Sequence, residues 1–306
     1  MKQIIKKSIG IISRRYHQVR SLRPVWKLIN IVSIVKFSQP VLNEEQNKIL
    51  QDLRNDGIAI THIDKILPPE IFKQLQQFAM DRWSDADVKE RYEKRHEAKD
   101  GEKLMNKSFF LVDLWKGKRI LDLNNIFTQF SLKNEILDII QSYMGMLVKF
   151  TDWRLQVTVP MPEGMRSYAS QDWHRDPEDQ QLIKMFLYLN DVDESAGPFI
   201  YLKKSHISGK WRHLFPQQPP RGSNGIDSEI PTDDRVVCTG KAGTVIFCDT
   251  SGLHRGGHAK SNNRFMYTSI FMSTASVWSS IYTNQNKKDI FAVQNKIKKE
   301  PKYYSW

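Results

Sequence analysis

Two histidines, a carboxylate and an arginine carry the strongest chemical signal in the chain. His174 and Asp176 lie in Asp172-Trp173-His174-Arg175-Asp176. His254 lies in Leu253-His254-Arg255-Gly256-Gly257, and Arg264 follows ten residues later in Asn263-Arg264-Phe265. Two imidazoles and one carboxylate can hold a ferrous ion on one face and leave the opposite face open. A guanidinium forms two parallel hydrogen bonds to a carboxylate, so Arg264 suits an organic cosubstrate, a dicarboxylate above all. Together these residues point to an oxygen-activating enzyme.

The spacing explains the pairing but does not by itself make it specific. Residues i and i+2 of a strand face the same way with Cα atoms roughly 6–7 Å apart. Both can then reach one ion through bonds of about 2 Å. With eight histidines in the chain, about one His-x-acid pair is expected by chance, and His62-Ile63-Asp64 is a second instance. That pair stands between a short predicted strand and a helix start at Pro68-Pro69, so Asp64 reads as a turn or capping residue and His62 as structural. The third ligand must come from another strand. His206 sits at a strand-to-loop transition, His213 in a loop-like insert, His254 behind the apolar run Thr244–Cys248, and His258 beyond two glycines. His254 is the preferred ligand and His258 the alternative. Facing sheets of a jelly roll lie roughly 10 Å apart, within reach of ligands that oppose one another across the sandwich. Arg264, Met266, Thr268 and Ile270 share one face of an alternating strand. An arginine turned into an apolar interior is costly without an anion; the competing readings are a salt bridge to a protein acid or an outward-facing side chain.

The elements that must position these residues are β in character. From about 151, apolar or β-branched runs occur at 153–159, 182–189, 198–202, 235–238, 243–248 and 264–272, punctuated by Pro, Gly, Asn and Asp. Many short strands without intervening helices predict a sandwich or barrel. An insert rich in Pro, Gly and Ser over 205–234 has a length often used to cover a site; the alternative is a surface excursion. Residues 43–150 read as mostly helical. Asn43 caps a helix that Gly57 ends, a short strand occupies 57–61, and Pro69 opens a helix over 69–83. Residues 86–100 are highly charged and read as a solvated helix or loop, and Lys133–Tyr143 as a core-facing helix. Trp153, Tyr168 and Trp173 flank the ligand strands and could shape a pocket, although aromatics there more often belong to the core.

The net charge of +12 resides in the ends of the chain. Residues 1–40 hold nine Lys/Arg and no acid, and residues 287–306 hold six Lys against two acids. The intervening 41–286 has 31 basic and 32 acidic residues, which argues against a nucleic-acid-binding body. The expected organisation is a basic amphipathic segment over 1–40, a single domain over 41–286 (helical to about 150, a strand-rich core over about 151–275), and a basic tail over 287–306. Two helical stripes run through the first segment: Ile5, Ile9, Ile12, Tyr16 and Val19, then Val25, Leu28, Ile29, Val32 and Val35. Neither has the length of a membrane span. The segment reads as a helix pair packed on the body or a partner, as a peripheral membrane contact, or as an organellar transit peptide. The corresponding locations are the cytoplasm, a membrane surface or an organelle. Cys238 and Cys248, ten residues apart in an apolar stretch, read as two buried thiols in a reducing compartment.

Four elements in order resemble the phytanoyl-CoA dioxygenase family of Fe(II)/2-oxoglutarate oxygenases over about 150–275. They are His174-Arg175-Asp176, the stretch Ala196-Gly197-Pro198 through Ser205-His206, the strand Gly243–Asp249 leading to His254, and Arg264. The resemblance implies a mainly β fold with helical additions, in which a cupin-like jelly roll (double-stranded β-helix) follows N-terminal helices. It implies iron on His174, Asp176 and His254, and 2-oxoglutarate on Arg264. Phe186 falls where a tryptophan commonly lines the cosubstrate pocket, and Gln156 where another pocket residue is expected. It further implies consumption of dioxygen, release of succinate and CO₂, and oxidation of a small-molecule or lipid-like substrate. Related halogenases lack the carboxylate, so Asp176 favours hydroxylation or a related oxidation. Lys203-Lys204 replace the family's Pro-Gly, and Gly256 replaces a cosubstrate-binding serine of some relatives. The rivals are a non-catalytic jelly-roll binding module and a protein-directed hydroxylase.

Overall fold

The computed structural model describes residues 2–96, 109–115, 121–164, 167, 169–215, 226–277, 293 and 296–297. The chain opens with α1 (Lys2–Gln18), α2 (Arg23–Ile29), α3 (Ile31–Val35), α4 (Glu44–Asp56), β1 (Ile58–His62), α5 (Pro69–Ser84) and α6 (Ala86–Glu93). It continues with β2 (Leu111–Asp113), α7 (Ile126–Ser131), α8 (Asn134–Met144), β3 (Lys149–Thr158), β4 (Leu182–Tyr188) and β5 (Phe199–Leu202). The final elements are α9 (Ile226–Glu229), β6 (Arg235–Cys238), β7 (Thr244–Asp249), β8 (His254–Gly256) and β9 (Arg264–Met272).

The strands form two antiparallel sheets, a large one in the order β1-β7-β4-β9-β3-β2 and a small one in the order β6-β5-β8. This is the expected jelly roll. Period-two alternation gives each central strand two destinations. Trp153, Leu155 and Val157 of β3, Met185 and Leu187 of β4, and Tyr267 and Phe271 of β9 pack with Ile49 and Leu53 of α4, Leu75 of α5 and Ile136 and Ile140 of α8. The opposite faces turn toward the small sheet, where Phe186 and Tyr188 meet Phe199 and Tyr201 of β5. Arg154, Gln156 and Thr158 of β3, Lys184 of β4, and Arg264, Met266, Thr268 and Ile270 of β9 line the cavity on this side.

Local signals in the helical region hold. Asn43 and Gln46 form a reciprocal capping box at the start of α4. Gly57 ends the helix in the left-handed conformation, φ +78°, where a Cβ would run into the Tyr201 hydroxyl and the His206 ring. The division at about 150 is crossed, however: β1 and β2, from the stretch read as helical, are the two edges of the large sheet. In the charged stretch 86–100, α6 anchors itself through fully buried Val88, and residues 97–100 lie outside the described residues. Cys238 and Cys248 are free and buried, as expected, and burial pushes the Cys238 thiol up to about 12.

Two expectations need correction. The insert over 205–234 does not close over the cavity in its described parts, 205–215 and 226–234. It packs on the outer side of the small sheet, where Trp211, Leu214, Phe215 and Ile230 meet Trp173 and Leu253. Physically, Trp173 and Arg175 alternate with His174 and Asp176, so they project away from the ligand side and need cover. Arg175 is 3% exposed and donates to the carbonyls of Ser205, Ser251, Trp211, Leu214 and Phe215. The N-terminal helices do pack on the body, but mainly through their polar face, with Trp26, Tyr16 and Ile34 adding apolar contact to the core. Trp26 Nε1 donates to Asp179 at 2.5 Å, Asn30 Oδ1 accepts from the Ala275 amide at 2.9 Å, and Ser33 Oγ lies 3.1 Å from Thr274 Oγ1.

Candidate metal centre and cosubstrate cavity

His174 and His254 reach each other through the backbone. They form an antiparallel bridge in which each amide donates to the other's carbonyl at 3.0 Å. The two histidines are therefore neighbours along one sheet edge and do not oppose one another across the sandwich. Beyond the bridge the chain turns along the 250 loop, where the Asp176 amide donates to Thr250 O at 2.9 Å. The ring centroids lie 4.2 Å apart. His174 Nε2 is 3.9 Å from Asp176 Oδ1, and His254 Nε2 is 3.6 Å from Asp176 Oδ2. One nitrogen or oxygen from each residue lies within 4.8 Å of the others, a group that could hold a metal ion.

The hydrogen bonds on the far side of each ring select its tautomer. His174 Nδ1 lies 2.8 Å from Asp172 O, and His254 Nδ1 lies 2.9 Å from Gly252 O. A carbonyl only accepts, so Nδ1 carries the proton in each ring and Nε2 turns its lone pair toward Asp176. Burial lowers the His254 pKa to about 3, with the neighbouring His174 adding to the effect, so the ring is neutral at ordinary pH. Asp176 is held as a carboxylate. Burial alone would raise its pKa, but Lys184, His254 and His174 bring it well below the usual range. The Lys184 ammonium lies 2.5 Å from Asp176 Oδ2.

Arg264 occupies the other end of the same cavity, whose volume is about 170 Å³. It is 4% exposed. Its Nη1 donates to Gly197 O and its Nη2 to Thr158 Oγ1 at 3.0 Å, while its Nε has no hydrogen-bond partner among the described residues. Among the described residues no carboxylate lies within ion-pair distance of it, so both competing readings of this arginine fail. Gly197 can present its carbonyl because it lacks a side chain: its φ is +67°, and a Cβ would fall 2.5 Å from the Ala259 amide nitrogen. Phe186 and Gln156 both line the cavity, the former against Phe199 at 4.7 Å between ring centroids. At Gly256, a Cβ would sit 3.9 Å from Arg264 Nη2, so this position faces the guanidinium as the serine of some relatives would.

The remaining histidines stand elsewhere. His258 Nε2 lies 2.9 Å from Ser167 Oγ, away from the cavity, so His254 is the histidine that joins His174 and Asp176. His62 Nε2 bonds Ala242 O at 2.9 Å, and its Nδ1 accepts from the Asp64 amide at 3.4 Å; the decoy pair is a turn. His206 is buried against Arg54 O, and His213 is exposed. Trp153 and Trp173 are buried without lining the cavity, and Tyr168 lies outside the described residues.

Sequence reading missed Lys184, Glu178, Thr158 and Phe110 in the cavity wall. Lys184 was detectable: it interrupts the apolar run Leu182–Tyr188 two residues before Phe186, on the inward phase. Glu178 Oε2 is buried with no hydrogen-bond partner among the described residues. Burial, reinforced by Asp176, raises its pKa to about 7, against the opposing pull of Lys184.

A family model described as phytanoyl-CoA dioxygenase (PhyH) matches residues 53–266. The chain belongs to the phytanoyl-CoA dioxygenase family. The matched span begins in α4, ends in the first residues of β9, and takes in all four elements that carry the resemblance. No curated protein sequence matches the chain. Several solved structures share its fold. EctD from S. alaskensis with 2-oxoglutarate and 5-hydroxyectoine is 16% identical over 78% of this chain and 79% of that one, with a TM-score of 0.55. EctD from S. alaskensis with bound Fe is 15% identical over 80% and 82%, with a TM-score of 0.53. The epimerase SnoN, in complex with Fe3+, alpha ketoglutarate and nogalamycin RO, is 13% identical over 78% and 88%, with a TM-score of 0.50. At these identities the likeness concerns the fold alone.

One departure from the phytanoyl-CoA dioxygenase pattern has a visible physical consequence. Lys204 replaces the glycine before Ser205-His206 and takes φ +60°. Its amide donates to Asp56 O and its carbonyl accepts from the Trp211 amide, both at 2.8 Å. These bonds hold a lysine where the family places a residue free of left-handed strain.

Proposed function

We propose that the protein is an Fe(II)- and 2-oxoglutarate-dependent dioxygenase that hydroxylates a small-molecule or lipid-like substrate. The observation that carries this reading is that one cavity holds both the His174–Asp176–His254 group and a buried arginine that, among the described residues, has no carboxylate within ion-pair distance. Two imidazoles whose Nδ1 atoms are held by carbonyls, with Nε2 turned toward Asp176, and an ionised carboxylate fit a divalent iron. Arg264 fits a carboxylate reached from the cavity. When bound, Fe(II) and 2-oxoglutarate supply the oxidation of substrate by dioxygen, with release of succinate and CO₂.

The protein's own residues do the rest. His174 and His254 are oriented by Asp172 and Gly252. Lys184 engages Asp176 Oδ2, the oxygen nearer His254, and leaves Oδ1 on the side of His174. Arg264, set by Gly197 and Thr158, binds and orients the distal carboxylate of 2-oxoglutarate. Phe186 and Gln156 bound its aliphatic stretch. Met266 and Ile270 present apolar surface where a substrate C–H would lie.

Anaerobic titration of Fe(II) and then 2-oxoglutarate tests the reading. We expect 2-oxoglutarate to bind only after iron and to produce a visible charge-transfer absorption. Binding of 2-oxoglutarate without iron, or none at all, refutes it. The ion pair of Lys184 with Asp176 favours a second reading, a non-catalytic binding module in which the ammonium stands where a metal would. That reading predicts no Fe(II) binding by the wild type.

A further inference from the structure

The N-terminal helices are docked with their polarity reversed. An amphipathic helix on a soluble body normally buries its apolar stripe. Here, beside Tyr16 and Ile34, which pack half-buried on the main core with the Trp26 ring, the residues that face the body are Ser13, His17, Trp26, Asn30 and Ser33, each buried. Hydrogen bonds to Asp179, Thr274 and Ala275 hold the last three, and Arg20 adds bonds to the carbonyls of Gln180 and Ser251. The apolar stripe points to solvent. Val25, Leu28, Ile29, Val32 and Val35 are 45, 69, 53, 59 and 74% exposed, and Ile9, Ile11 and Ile12 of α1 are 52, 55 and 68% exposed. Of 15 exposed large apolar residues among the described residues, 11 lie between Ile9 and Val41, so the exposure concentrates on this one surface. Such a concentration marks an interaction site.

Charge identifies the occupant. Residues 1–40 carry nine Lys/Arg and no acid, and Arg14, Arg15, Lys27 and Lys36 are exposed beside the apolar side chains. Apolar side chains flanked by bases on short helices match the boundary of an anionic bilayer, where the apolar groups enter the acyl region and the bases meet headgroups. None of the helices among the described residues is long and apolar enough to cross a membrane, which fits surface attachment. We propose that α1–α3 form a docking surface for an anionic lipid bilayer. The face is held on the Asp179–Gln181 segment, which follows Asp176 by three residues, so the bilayer contact and the metal centre share one stretch of chain. The proposal stands independently of the oxygenase reading, because it concerns the metal-free protein equally.

Flotation of the purified full-length protein with vesicles tests it. One set contains phosphatidylcholine alone, and a second contains roughly one-third phosphatidylserine. We expect flotation with the anionic set, weakened by salt. Leu28→Asp combined with Val32→Asp should weaken it by on the order of tenfold or more, and Lys27→Glu should weaken it to a lesser degree. Val237→Asp, at an apolar residue of β6 that is 45% exposed, should leave flotation unchanged. The altered side chains are exposed, so melting temperatures should match the wild type; a variant that melts early is replaced by Val35→Asp. No flotation with anionic vesicles overturns the proposal, as does flotation insensitive to Leu28→Asp/Val32→Asp. A wild-type dimer in light scattering that those substitutions dissolve, without vesicle binding, would assign the face to a second copy of the chain and also overturns it.

Discussion

Replacing Arg264 with methionine separates the cosubstrate role of this arginine from any structural one. The guanidinium is buried, donates to Gly197 O and Thr158 Oγ1, and has no Nε partner among the described residues. Two charge-assisted hydrogen bonds to a carboxylate are worth about 1.5–3 kcal/mol each. Arg264→Met should therefore weaken 2-oxoglutarate binding roughly 10²- to 10⁴-fold. Its effect on the ligand-free fold should be small. Leaving two acceptors short of a donor costs about 1–3 kcal/mol each, while removal of a buried cation that has no carboxylate beside it among the described residues relieves a penalty of several kcal/mol. Calorimetry of Fe(II)-loaded protein under anaerobic conditions reads the first effect, and thermal melts read the second. At a 2-oxoglutarate concentration of about 100 times Kd, the wild type should gain about 2.7 kcal/mol. The variant at that concentration should gain almost nothing, with Fe(II) affinity unchanged. Binding within about fivefold of wild type would refute the assignment of Arg264, as would collapse of the metal-free fold.

Three further outcomes follow from the same geometry. Asp176→Ala should abolish Fe(II)-dependent succinate release and weaken iron binding; wild-type turnover in that variant would remove the carboxylate from the site. Lys204→Gly should stabilise the protein by about 1 kcal/mol, since φ +60° is strained for a lysine and free for a glycine; chemical denaturation that shows a loss contradicts this. Glu178 has a folded pKa of about 7, above its ordinary 4.5. Its ionised form is thus disfavoured in the fold, and stability is lost as pH rises from 4.5 toward 7. In metal-free protein, Glu178→Gln should raise the melting temperature more at pH about 8 than at pH about 5. A difference independent of pH refutes that placement.

The parts of the structure visible in the sequence are those governed by local periodicity. Alternation located β3, β4, β5, β6, β7 and β9, and the inward phase of Arg264 followed from it. Capping chemistry located α4, and proline located the start of α5. What escaped depends on contacts distant in the chain. β2 and β8 each span three residues, too few for a period to register, and they exist because β3 and β5 offer them partners. His254 is paired with His174 through one backbone bridge, a register no spacing of 80 residues specifies. The stripes of α1–α3 were legible, but their direction was not. A periodicity shows that a helix has two faces, and here Asp179, Thr274 and Ala275 bind the polar one. The 205–234 insert stayed open between a cover for the site and a surface excursion, because its described part packs on Trp173 and Arg175, whose outward phase becomes evident only when His174 and Asp176 are placed inward. Phe186 and Gln156 came from family resemblance and do line the cavity, whereas Lys184 shared the phase of Phe186 and could have been read from it.

The central claim is that His174, Asp176 and His254 bind iron and that Arg264 binds the cosubstrate beside it. A crystal structure of the protein grown anaerobically with Fe(II) and 2-oxoglutarate tests this directly. The account predicts one metal ion on both Nε2 atoms and an Asp176 oxygen, with the far carboxylate of 2-oxoglutarate on the Arg264 guanidinium. Metal bound elsewhere, or a site in which Lys184 still occupies Asp176 and no metal enters, would contradict it.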